Sequence, residues 1–108
     1  MRTSSLLVAT LIAAPTLALA ADNAAAVKNA MMMAHHKMMA AMDQMQPTGD
    51  ADKDFVAMMV PHHQGAIDMA KVELQYGKDE KLRAMAEDII QAQEKEIAEM
   101  KAWQTANP

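Results

Sequence analysis

Four histidines occur as two adjacent pairs, His35-His36 and His62-His63, and both pairs follow methionine pairs by four residues. Met31 and Met32 precede the first pair in this way, and Met58 and Met59 precede the second. A four-residue step returns to the same face of a helix, so each histidine shares a face with a methionine. Thioether sulfur is neutral and polarisable and selects Cu(I), or Ag(I) by similarity, over Zn²⁺ or Mg²⁺. Neutral imidazole also binds copper. The chain has no cysteine, so thiolate ligation and disulfide staples are both excluded.

The first of these segments, MMMAHHKMMAAMDQM, carries two stripes. Met31, His35, Met38, Met42 and Met45 recur at steps of three and four. Met32, His36 and Met39 form a second stripe about 100° further round. Methionine as core filler accounts for one stripe, together with Val27. The second must face solvent or a partner, and a metal gives it a purpose.

The other segment, MMVPHHQGAIDMA, sets Met58 four residues from His62, Met59 four from His63, and His62 seven from Met69. Adjacent histidines diverge by about 100° on a regular helix. Pro61 removes a backbone donor and presses on the carbonyl of Ala57, so a kink that turns His62 relative to His63 is expected. The alternative is that Pro61 starts a new helix and both histidines are polar surface residues. The local residues leave these two readings open.

The elements that must hold these donors are helical. Residues 1–20 have the form of a secretory signal peptide: Arg2, an apolar run from Leu6 to Ala14, and a small-residue end at Ala18-Leu19-Ala20. The expected location is therefore the periplasm, with no membrane attachment after cleavage. The rest divides into a methionine- and histidine-rich segment, 21–47, and a core helical domain, 48–108. A first helix is expected from about Asn23 to Met45, stopped by Gln46-Pro47-Thr48-Gly49. A second is expected from Asp50, with Asp52 and Asp54 in its first turn, to Tyr76 and Gly77. A third is expected from Asp79 to about Thr105, with Leu82, Met85, Ala86, Ile89, Ile90, Ile97, Met100 and Trp103 at helical spacing. Glu94, Glu96 and Glu99 with Lys95 and Lys101 read as its solvated side. No strand pattern occurs, so the fold class is all-α, an antiparallel helical hairpin or three-helix bundle. Whether two chains pair into a larger bundle is left open.

Composition narrows the function. Without the leader the chain has nine basic and fourteen acidic side chains and no basic cluster, which argues against nucleic acid as a partner. Both serines lie in the leader, and there is no Glu-x-x-His, His-Glu-x-x-His or phosphate-cradling glycine loop. No acid, base and nucleophile assemble, and the chain reads as a non-enzyme. The competing reading is a helical interaction module whose methionine-rich groove takes a peptide or second chain. Such a groove has no use for His35, His36, His62 and His63.

The pattern Asp52-x-x-Phe55-x-x-x-Met59-x-x-His62-His63-x-x-Ala66-x-x-Met69-Ala70 resembles the signature of the domain of unknown function 305 family. Ala86-x-x-Ile89-x-x-x-Gln93-x-x-Glu96-Ile97-x-x-Met100-x-x-Trp103 resembles its second half. The resemblance implies a ferritin-like helical bundle and, for CopM-like periplasmic members, copper or silver binding that supports resistance. It implies that Met59, His62, His63 and Met69 are metal ligands or adjoin them, with Gln93, Glu96 and Met100 facing them. A histidine that many relatives carry before the third helix is absent from Tyr76-Gly77-Lys78-Asp79. The expected function is Cu(I) or Ag(I) sequestration, tolerance or transfer, with other periplasmic copper proteins as exchange partners.

Overall fold

The computed structural model describes the backbone from Thr16 to Pro108, and side chains from Asp22 onward. The first fifteen residues of the expected signal peptide lie outside the described residues. Three helices account for nearly all of the remainder: α1, Thr16–Asp43; α2, Ala51–Tyr76; and α3, Glu80–Ala106. The helix α1 begins earlier than the expected Asn23, because Leu17-Ala18-Leu19-Ala20-Ala21 is a run of strong helix formers with no breaker.

The N-cap of α2 falls at the expected Asp50, and α3 is capped at its expected start, Asp79. Asp50 accepts from the amides of Asp52 and Lys53 at the start of α2, and Asp79 accepts from Leu82 at the start of α3. Between α1 and α2, Gly49 takes the left-handed conformation (φ 83°), and the Asp54 carboxylate folds the turn by accepting from Thr48 N, Thr48 Oγ1 and Gly49 N. The α2–α3 turn is held by Arg83, whose Nη1 donates to the carbonyls of Leu74 and Gly77 at 2.7 and 3.0 Å. That guanidinium satisfies carbonyls which the end of α2 leaves without intrahelical donors.

The helix α2 lies between the other two. Val56, His63, Ile67 and Ala70 are buried along one side of it, facing α3, and Gly65 and Val72 are buried on the opposite side, facing α1. Both α1 and α3 pack on α2, and among the described residues they do not pack on each other. The α1–α2 contact is close because position 65 has no side chain: a Cβ there would stand 2.5 Å from Met38 Sδ and 3.0 Å from Met38 Cβ. Buried apolar side chains are small or medium in size, namely Ala34, Val56, Ile67, Ala70, Val72, Ala86 and Ile97, beside His63.

The two histidines do not converge as the expected turning of His62 at Pro61 would have them. The helix α2 runs through Pro61 without interruption, and His63 is buried while His62 is exposed. In an unbroken helix neighbouring side chains stay about 100° apart, so the pair divides between two faces instead of converging.

The arrangement has two unlike sides. Lys37 Nζ and Asp68 Oδ2 meet at 3.9 Å on one edge of the α1–α2 pair, and Gln64 donates to Asp68 there. Met39 and Met32 lie about 100–120° round α1 from Met38, in the sense opposite to Lys37. His62 and Met69 lie on α2 in the sense opposite to Asp68. The edge away from the ion pair therefore carries His35, Met39 and Met32 of α1 beside His62, Met58 and Met69 of α2.

Candidate metal centre

The helix α2 presents Met59 and His63 one turn apart, and α3 presents Glu96 and Met100 one turn apart. His63 meets Glu96, and the helices are antiparallel. Equal four-residue steps in opposite directions along the two helices therefore set Met59 against Met100. All four line one cleft of about 710 Å³, with Phe55 and Trp103 also in its wall. That volume far exceeds one ion, so the cleft is an open groove with donors on both sides.

His63 is the only buried polar side chain among the described residues, at 8% exposure. Its Nε2 lies 2.5 Å from Glu96 Oε2. Its Nδ1 is buried with no hydrogen-bond partner. A carboxylate accepts and does not donate when ionised, so in the neutral imidazole the pairing places the proton on Nε2 and leaves a lone pair on Nδ1. A histidine that ligates a metal through one nitrogen commonly donates its other N–H to a carboxylate, which fixes the tautomer. His63 and Glu96 have that arrangement. Glu96 stands in the sequence among acids that read as a solvated side, and half its side chain is indeed exposed. Only its position opposite His63 separates it from them.

The other expected ligands fall elsewhere. His62 is exposed, its ring centroid 6.2 Å from that of His63 and nearly edge-on to it. Met58 and Met69 are exposed on the same side as His62. On α1, Met31, Met38 and Met42 are half-buried and Met32 and Met39 are exposed. His35 and His36 are both exposed, with ring centroids 6.1 Å apart. Because α1 and α3 occupy opposite faces of α2, the α1 donors do not join His63. Soft donors thus gather in two groups: Met59, His63 and Met100 in the α2–α3 cleft, and His35, Met39 and Met32 with Met58, His62 and Met69 along the α1–α2 edge. Among the described residues no three His, Asp or Glu side chains converge as a possible metal site.

Two residues that position the site were missed from the sequence. Gly65 seats α1, and a glycine inside a helical pattern is the signal that could have marked it. Arg83 fixes the α2–α3 turn, and nothing in its local pattern points to that role.

A small all-α protein with a histidine–carboxylate pair in an interhelical cleft is the class that fold and site define. The model of a family described as "Domain of unknown function (DUF305)" matches residues 11–104, and the chain belongs to that family. The chain is also similar to "Uncharacterized protein L153" of Acanthamoeba polyphaga mimivirus, at 43% identity over 49 residues. That match covers 45% of this chain and 32% of the viral protein, so the chain spans about a third of the relative's length.

Proposed function

We propose that this protein binds Cu(I) or Ag(I) in the α2–α3 cleft through His63 Nδ1, Met59 and Met100, with Glu96 orienting the imidazole. The observation that carries the reading is the buried, unpartnered Nδ1 of His63, a residue that lines one cleft with Met59 and Met100 and whose other ring nitrogen is tied to a carboxylate. Leaving a buried nitrogen without a partner costs about 1–3 kcal/mol, which a bound ion would offset. Two sulfurs and one nitrogen suit a soft monovalent ion. An open groove with few donors permits exchange, so the role is sequestration for tolerance, or transfer to another copper protein. Residues 1–20 are proposed as a signal peptide that delivers the chain to the periplasm. There methionine escapes the disulfide chemistry to which cysteine is prone.

Native mass spectrometry with silver(I) as the probe tests the proposal. Retention of silver at micromolar protein is expected, together with loss of at least tenfold in affinity for His63→Ala. A protein that retains no silver overturns it. The exposed methionines favour a second reading, a groove for an apolar partner. The paired variant Met59→Leu with Met100→Leu separates the two, because leucine keeps the groove apolar and removes the sulfur. Unchanged silver affinity in that variant would favour the groove.

A further inference from the structure

Eight large apolar side chains remain exposed among the described residues: Met32, Met33, Met39, Phe55, Met58, Met69, Leu82 and Met85. All but Met33 lie on one side of the molecule. The α1–α2 edge opposite the Lys37–Asp68 pair accounts for Met32, Met39, Met58 and Met69. Phe55 precedes His62 by seven residues, which is nearly two full turns, and shares its side. Leu82 and Met85 stand eighteen residues, or five turns, before Met100 and Trp103, which line the same cleft as Phe55. The other side mixes Gln64, Lys101 and Gln104 with the less exposed Met45, Val60 and Ile97, beside the Lys37–Asp68 pair. The large, well-exposed apolar side chains are thus gathered on one side of the layer. Domains ordinarily bury such a side under a second layer, and one row of three helices has none.

The seam that α2 contributes to this side says what covers it. Phe55, Met58, His62, Ala66 and Met69 lie within about 40° of one direction on the helix wheel. Their positions are symmetric about His62, at −7, −4, 0, +4 and +7 residues. An antiparallel copy of the same helix centred on His62 therefore sets Phe55 against Met69 and Met58 against the small Ala66, in both directions at once. Large meets small and aromatic meets thioether, which are favourable pairings. A two-fold interface requires this self-complementarity, and a partner of unrelated sequence does not. The exposed apolar surface is on the order of 600 Å² per chain, near the roughly 800 Å² per partner of a standard interface.

We propose that a second copy of this chain covers the methionine side. The two α2 helices pack antiparallel about a two-fold axis at His62, and the two His62 imidazoles form a soft-ion site between protomers. The dimer stands on the apolar seam alone, and only the bridging ion rests on the proposed soft-metal function. The adjacent histidines then have separate tasks, His63 within a protomer and His62 between protomers.

Sedimentation velocity of the metal-free protein over micromolar concentrations should show twice the chain mass. Met58→Glu with Met69→Glu should halve that mass at unchanged helical circular dichroism. Cysteine cross-linking gives an independent reading, because the chain has no native cysteine. Under mild oxidation His62→Cys should give a covalent dimer, and Lys71→Cys, exposed on the opposite side of α2, should not. One equivalent of silver(I) per dimer should raise the dimer fraction of the unaltered protein and leave that of His62→Ala unchanged. A monomer without cross-linking overturns the dimer. Equal cross-linking at both positions overturns the seam. A metal-free dimer indifferent to silver overturns the bridging site alone, and leaves the His63 centre to its own test.

Discussion

At the scale of single residues, the two histidines of α2 are chemically identical neighbours, and only their surroundings separate them. His63 turns to α3 and finds Glu96, whereas His62 stays on the open side. If Glu96 orients His63 as argued, Glu96→Gln should weaken silver binding about 10–100-fold, the usual effect of removing a ligand's carboxylate partner. Competition against a Cu(I) chelator reads this directly, and unchanged affinity would dismiss the orienting role. Gly65 is the second decisive residue. In an exposed helix, replacing glycine by alanine stabilises by about 1 kcal/mol. Here the new Cβ meets Met38 along its length, including Cβ at 3.0 Å, so the side-chain tip cannot relieve it alone. Overpacking of this kind costs about 1–3 kcal/mol, so Gly65→Ala should be neutral to destabilising in urea unfolding. A stabilisation near 1 kcal/mol would mean that α1 does not seat at Gly65.

Polar turns join the elements that pack on α2. Asp54 is the hub of the α1–α2 turn, and the backbone N–H and hydroxyl of Thr48 lower its pKa below the ordinary 3.8, with the Gly49 amide adding to them. A carboxyl whose pKa is depressed by folding stabilises the fold above its unfolded pKa. That contribution disappears as pH falls through the lower folded value. The melting temperature of the unaltered protein should therefore exceed that of Asp54→Ala by a constant amount above about pH 5, and the gap should close below about pH 4. A gap that persists into stronger acid would show that the carboxylate form is not what holds the turn. The α2–α3 turn instead relies on the Arg83 guanidinium, which does not titrate in this range.

On the scale of the whole molecule, one helix serves two neighbours and the core stays thin. No large side chain is fully buried among the described residues. A protein so constructed draws stability from whatever binds its native state. Silver(I) at a hundredfold excess over its dissociation constant should add about 2.7 kcal/mol and raise the melting temperature by several degrees. No shift would contradict the proposed binding. The same thin core explains why the methionine content is high: the layer leaves one side uncovered, and methionine is suited both to adaptable contacts and to soft ions.

The sequence by itself determined the three helices, their caps at Asp50 and Asp79, their short turns and the family, because spacing, capping and breaker residues act locally. It also located most residues of the candidate site, since a four-residue step fixes a shared face whatever the tertiary fold. Which neighbour each face meets is a non-local matter, and only the packed structure decided it. The antiparallel register singled out Glu96 from a run of similar acids and put it on His63. The absent side chain at Gly65 let α1 close on α2 away from α3. An unbroken helix through Pro61 then kept the two histidines on different faces, because adjacent residues of a helix cannot share a direction.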